Sequence, residues 1–265
     1  MPQIHFVREQ AYLAGVDAVH ESTDCLTHIA EIHHPAHGPG RYYLKHYLEG
    51  PRGSKGLANE VCGYILAEAV GLPVPDQALI LELPTERIVE MHPQYGAQIR
   101  DAKAAVWATL DVGGRPLPRE TDLAAAALRA WTALPDLIAF DSWVVVPDRS
   151  AANLARRRNK QLVVIDHGHL GGSICWEPDM LPTDEERRHG FLDLWGGRVP
   201  DEVNQSIIVA AEGHEACLEK AMPELNRFME SLLDSPRDRI ALLQFLQERA
   251  NSSPARMKRV LRMLA

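Results

Sequence analysis

The chain has 265 residues, of which 46% are hydrophobic and 24% charged, and its net charge is −8. That length supports one large domain or two small lobes with a buried core, and the acidic balance lacks the basic footprint of a nucleic-acid binder. Cys25, Cys62, Cys175 and Cys217 form no CxxC pair, which points to buried thiols and away from a disulfide framework or zinc site.

In chain order, THIAEI alternates and is expected to be a strand. HHPAHGPG is a Pro/Gly turn whose His33, His34 and His37 read as solvated. RYYLKHYL is a second predicted strand, with Tyr43 and Lys45 on one face and Tyr42, Leu44 and His46 on the other. GPRGSKG reads as a flexible loop, with Ser54 a candidate autophosphorylation site. A helix is expected from about Leu57 to Val70, with Val61, Tyr64, Ile65 and Leu66 apolar and Gly71 as its C-cap. VPDQALILEL and ERIVEM are read as two further strands. Beyond residue 93 helices are expected at 98–109, 121–139, 185–196, 199–234 and 236–264. Leu154–Ala155 and Leu162–Ile165 read as a small hairpin around the basic turn Arg156–Arg157–Arg158. The class is α+β: a sheet-rich lobe with one helix over residues 1–93 and a mostly helical lobe over 94–265, with the seam near 91–97. No window approaches the ~20 apolar residues of a membrane span, and the N-terminus has no apolar leader region. A cytoplasmic protein is the expectation.

The chemistry is carried by order and spacing. Asp148 and Asn153 lie five apart in a loop between apolar segments, and Asp166 follows directly after the apolar LVVI. One carboxylate and one amide suit Mg2+, which takes oxygen ligands and keeps several from water and phosphate. A second carboxylate nearby can accept a proton from an attacking hydroxyl. Gly168 suggests a backbone conformation that needs glycine. Lys45 sits inside an apolar strand, and Glu60 comes fifteen residues later in the first turn of the next helix. A strand lysine held by a helix carboxylate keeps its ammonium aimed at phosphate oxygens. For each motif alone a plain alternative stands: a turn around Pro147–Asp148, or a solvated edge lysine. Their joint order favours the chemical reading. His167 and His169 are expected to line the site without being ligands, and Trp176 and Trp195 to be core or groove anchors.

At these residues the sequence resembles the HipA-like kinases and, more remotely, the phosphoinositide-kinase-like group. The resemblance lies in YYLK with LANEVCGYILAEAVGLPVPDQALI, in FDSWVVVPDRSAANLA, and in LVVIDHG, which stands where other kinases carry D-F-G. It implies a two-lobed protein-kinase-like fold with ATP and Mg2+ as cofactors. It implies Lys45 on the ATP phosphates, Glu60 orienting it, Asp148 as catalytic base, and Asn153 with Asp166 on the metal. The adenine-contacting hinge then falls on Glu90, Met91 and His92. The nucleotide-covering turn falls around Gly15–Asp24 or on the GPRGSKG loop. The sequence departs from the family pattern at Ser150, where a histidine is expected, and at Val146, where asparagine is usual. The expected activity is phosphoryl transfer to a protein Ser/Thr. A small-molecule or lipid acceptor, AMP transfer, a nucleotide-binding pseudokinase acting as a scaffold, and a regulatory partner protein all stay open as alternatives.

Overall fold

The computed structural model describes residues 4–19, 24–48, 54–99, 101–119, 121–196 and 198–262. Both candidate nucleotide-covering segments lie partly outside the described residues. The chain is α+β and divides into two compact units, one formed by Met1–Leu57 with Pro75–Gly113, the other by Ala58–Val74 with Gly114–Ala265.

The first unit is built on a six-stranded sheet. Its strands are β1 (His5–Val7), β2 (Tyr12–Val19), β3 (Cys25–His34), β4 (Gly38–Tyr47), β5 (Ala78–Pro84) and β6 (Lys103–Leu110), in the order β1-β5-β6-β4-β3-β2. All pairs are antiparallel except β1 with β5. The period of two along β3 and β4 puts Leu26, Ala30, Ile32, Tyr42 and Leu44 on one face. Leu79, Leu81, Leu83, Val106 and Ala108 join them in a continuous apolar core. Lys45 is on the opposite face, opposite Thr27 on β3 and Trp107 on β6.

Helix α1 spans Gly56–Ala69, close to its predicted bounds, but ERIVEM is not a strand. Thr85–Met91 forms helix α2, whose Ile88 packs into the core. Conversely, the helix expected over 98–109 is the central strand β6, paired on both sides. β6 carries the first unit on to Gly113, past the seam expected near residues 91–97. His34 is also not solvated. It is buried, and its Nδ1 accepts the Ala36 N–H at 3.1 Å, closing its turn.

In the second unit, α1 supplies the buried Val61, Cys62, Ile65 and Leu66 and ends on Gly71 at φ +86°. A short sheet follows, with β7 (Arg115–Pro116), β8 (Leu154–Arg156) and β9 (Leu162–Val164) in the order β7-β8-β9. The helices are α3 (Asp122–Arg129), α4 (Leu134–Val144), α5 (Asp201–Glu212), α6 (His214–Leu232) and α7 (Pro236–Val260). The helix expected over 185–196 is instead extended chain leading into a 3-10 turn at Gly190–Trp195. Helix α4 is apolar nearly all round, as a central helix must be. Leu137, Ile138, Phe140 and Trp143 have no exposed surface. Trp143 stacks on His214 and donates its indole N–H to the Leu246 carbonyl at 2.9 Å. Among the described residues no single helix is long and apolar enough to cross a membrane; α3 and α4 reach that length together but are bent by 96°.

Candidate functional site

The predicted loop residues converge at the end of the β8–β9 hairpin in the second unit. Helix α4 ends at Val145, which takes a left-handed conformation at φ 53°. The chain then runs through Pro147, Asp148 and Arg149 into a 3-10 turn at Ala151–Asn153, capped by Ser150. The Asn153 side-chain oxygen accepts from the Ser150 N–H at 2.8 Å and lies 2.9 Å from the Ser150 hydroxyl. Because a backbone N–H can only donate, this fixes the amide. Its nitrogen faces Asp166 and donates to Oδ2 at 3.1 Å. Ser150 therefore has a local task of its own, as the residue that orients Asn153.

Asp166 stands directly after the short run from β9 and has φ +68°, where a non-glycine residue is strained. Gly168 is not among the residues with positive φ, so the unusual backbone belongs to the carboxylate residue itself. Three groups hold this loop. Glu60, buried in α1, accepts the His167 N–H at 2.9 Å. Asn59, also buried, donates to the carbonyls of Gly168 at 2.6 Å and Ser173 at 3.1 Å, and accepts from the Trp176 indole at 2.9 Å. Arg149 donates to the carbonyls of Ile165 at 2.7 Å and Asp166 at 3.1 Å. Gly63 lets α1 approach, since a Cβ there would lie 2.3 Å from the His167 Cβ.

Arg149 is in turn held by Asp141 of α4. Its Nε reaches the two carboxylate oxygens at 3.1 and 2.9 Å, with both side chains buried. His189 Nε2 is 3.0 Å from Asp141 Oδ2, and its Nδ1 accepts the Phe191 N–H, so the ring proton sits on Nε2. Burial pushes the Asp141 carboxyl up, but the guanidinium and His189 outweigh it and hold it below its ordinary value. Burial pulls Arg149 down, and Asp141 outweighs that in the other direction.

Asp148 is partly exposed, and its Oδ2 pairs with His169 Nδ1 at 2.9 Å. Thus Asp148, Asn153 and Asp166 belong to one connected loop system, with Glu60 fastened to it. Lys45 lies in the other unit. The hinge expected at Glu90, Met91 and His92 is not a connecting strand. Glu90 and Met91 are in α2, Glu90 pairs with Arg87 on the surface, and His92 is the buried residue after the helix. The chain passes between the units at Leu57–Ala58, Val74–Pro75 and Gly113–Gly114 instead. Sequence reasoning missed Asp141, Asn59, Arg149, His189 and the contact of His169. One signal was available for two of them: Asn59 is a polar residue beside Glu60 in an otherwise apolar helix, and Asp141 interrupts an apolar run.

A divalent cation fits this donor set in part. The Asp166 carboxylate is a hard oxygen donor at a strand end, as Mg2+ requires. The Asn153 oxygen is engaged by Ser150, so in this arrangement Asn153 orients Asp166. Among the described residues no group of three or more His, Cys, Asp or Glu side chains is arranged to hold a metal by itself.

No known family profile matches the chain, and no curated protein matches it. Among solved structures, the chain is similar to one described as the Golgi casein kinase. The TM-score is 0.47 and the identity 8%, over 93% of this chain and 72% of the other.

Proposed function

We propose that the chain is an ATP- and Mg2+-dependent phosphotransferase acting on a hydroxyl acceptor, with a protein Ser/Thr as the first candidate. The observation that carries this reading is the Asn153–Asp166 contact at 3.1 Å, with Asp166 held in a strained backbone by Glu60, Asn59 and Arg149. Strain kept in place by several buried groups is characteristic of sites where a side chain must be aimed. The three sequence blocks similar to HipA-like kinases support the same order of roles.

In this reading Asp148 accepts the proton of the acceptor hydroxyl, as a positioned carboxylate does in general base catalysis. His169 holds its Oδ2 and leaves the other oxygen for the acceptor. Asp166 would hold the metal together with phosphate and water oxygens, and Asn153 fixes the carboxylate's rotamer. The metal, when bound, neutralises charge on the phosphates. Lys45 keeps the task that the resemblance gives it, phosphate contact, and Glu60 holds the Asp166 loop through the His167 N–H.

The test is transfer of label from the γ-phosphate of ATP, in wild type and in Asp148→Ala and Asp166→Ala. Wild type should label an acceptor hydroxyl in the presence of Mg2+. Each variant should lose at least ~100-fold of that rate, the lower end of general acid–base contributions. Retention of label from the α-phosphate in place of the γ-phosphate would replace phosphoryl by nucleotidyl transfer. Equal rates in wild type and both variants would contradict the proposal.

A further inference from the structure

Beside the candidate catalytic loop, and wholly within the second unit, lies a cavity of about 50 Å³. That is room for several water molecules or one small oxyanion. Arg149, Arg187, Arg188 and Arg249 line it, against the carboxylates of Asp141 and Glu185. Four guanidiniums thus share one small lining with two carboxylates, and Arg188 also meets Asp193 at its rim.

The buried part of this lining is rigid. Arg249 is 1% exposed, and it donates to the carbonyls of Ser142, Trp143, Pro182, Thr183 and Glu185. None of those acceptors is a carboxylate, so its charge is solvated by dipoles alone. Burial and the nearby Arg256 together pull its pKa down to about 9. Glu185 and Asp184 pull the other way without outweighing burial. His189 spends its Nε2 proton on Asp141, which is already taken by Arg149.

The rim is adaptable. Arg187 pairs with Glu185 at 3.2 Å and Arg188 with Asp193 at 2.6 Å, and in both pairs the guanidinium is about half exposed. Exposed pairs of this kind contribute little, so either arginine can exchange its partner for a better anion. Guanidinium forks match phosphate oxygens two at a time. A phosphate monoester carries roughly −1.5 to −2 at neutral pH, more charge than either single carboxylate that now holds Arg187 or Arg188.

We propose that this cavity is an oxyanion site for a phosphate group, closed by Arg187 and Arg188 and separate from the nucleotide site proposed above. The source is either free phosphate or the phosphate of a phosphorylated side chain. The site stands whether or not the chain transfers phosphoryl groups.

Binding is tested by titrating inorganic phosphate and O-phosphoserine into the full chain by calorimetry, at constant ionic strength, with acetate as the carboxylate control. The variants are Arg187→Ala/Arg188→Ala, Lys45→Ala, and Arg227→Ala/Arg237→Ala as a control for exposed charge. Saturable phosphate binding is expected in wild type, Lys45→Ala and the control. It should weaken at least about tenfold in Arg187→Ala/Arg188→Ala, the loss of one or two charge-assisted hydrogen bonds. Tighter binding of O-phosphoserine than of phosphate assigns the site to a phosphorylated side chain, and the reverse assigns it to the free ion. Absence of saturable binding in wild type overturns the proposal. So does binding that survives in Arg187→Ala/Arg188→Ala, or that disappears in Lys45→Ala.

Discussion

Arg149 joins three separate pieces of chain, since its guanidinium meets the Asp141 carboxylate of α4 and the carbonyls of Ile165 and Asp166. Both members of the ion pair have side chains that are essentially unexposed. Removing one partner leaves a buried charge, at a cost of ~3–5 kcal/mol. Arg149→Ala should therefore lower the urea midpoint strongly, and Arg149→Lys should recover little, because a lysine cannot serve the carboxylate and both carbonyls with one fork. Gly63→Ala is expected to cost ~1–3 kcal/mol, because its Cβ would meet the His167 ring and backbone-proximal carbons at 2.3–2.5 Å. In a thermal melt that corresponds to about 2–4 °C per kcal/mol. At this scale the nearness of Asn153 and Asp166 was legible, because the two residues flank one short hairpin. Asp141, Asn59 and His189 were not. The long-range partners of Asn59 and His189 are 48 to 117 residues away in sequence, and the apolar runs around Asn59 and Asp141 signal burial without naming a partner.

At the scale of elements, α1 is the part that organises the loop. Its consecutive Asn59 and Glu60 accept or donate across to the chain between His167 and Trp176. Asn59→Leu removes the partners of one indole N–H and two carbonyls, each costing ~1–3 kcal/mol when left unsatisfied. It should melt lower and lose tryptophan near-UV signal from Trp176. Two of the misread segments have a definable reason. ERIVEM reads as a strand, yet it lies in α2, whose buried residues Thr85 and Ile88 have the i, i+3 spacing of a helix. Ile88→Ala should cost ~2–5 kcal/mol, as for other buried Ile truncations. KAAVWATL is alanine-rich and carries helix propensity, but it becomes the central strand β6. There its Val106, Trp107 and Ala108 are buried, and its neighbours β4 and β5 come from distant parts of the chain. Pairing on both edges overrides a weak local preference.

For the whole molecule, each unit carries buried neutral histidines. In the first unit burial, with His92 beside them, lowers His28 and His46 to about 4. In the second, burial lowers His214 to about 3. Above pH 6.5 these groups are neutral folded or unfolded and cost nothing. As the pH falls from 6.5 towards 4 the unfolded chain takes up protons that the folded chain refuses. Stability then declines by roughly 1.4 kcal/mol per histidine per pH unit. The urea midpoint should be clearly lower at pH 5.5 than at pH 7.5; equal midpoints would contradict the buried neutral state. The α+β class was legible from the change in residue pattern along the chain, although β6 carries the pattern of a helix.

The central claim is a nucleotide site whose metal carboxylate is Asp166. Its most direct test is thermal denaturation with ATP, with and without Mg2+, in wild type and Asp166→Asn. At ligand ~100 times its dissociation constant the stabilisation is ~2.7 kcal/mol, or a rise of roughly 5–10 °C for a chain of this size. The account predicts that rise in wild type only with Mg2+ present, and its loss in Asp166→Asn. An unchanged midpoint in wild type, or an equal Mg2+-dependent rise in the variant, would contradict it.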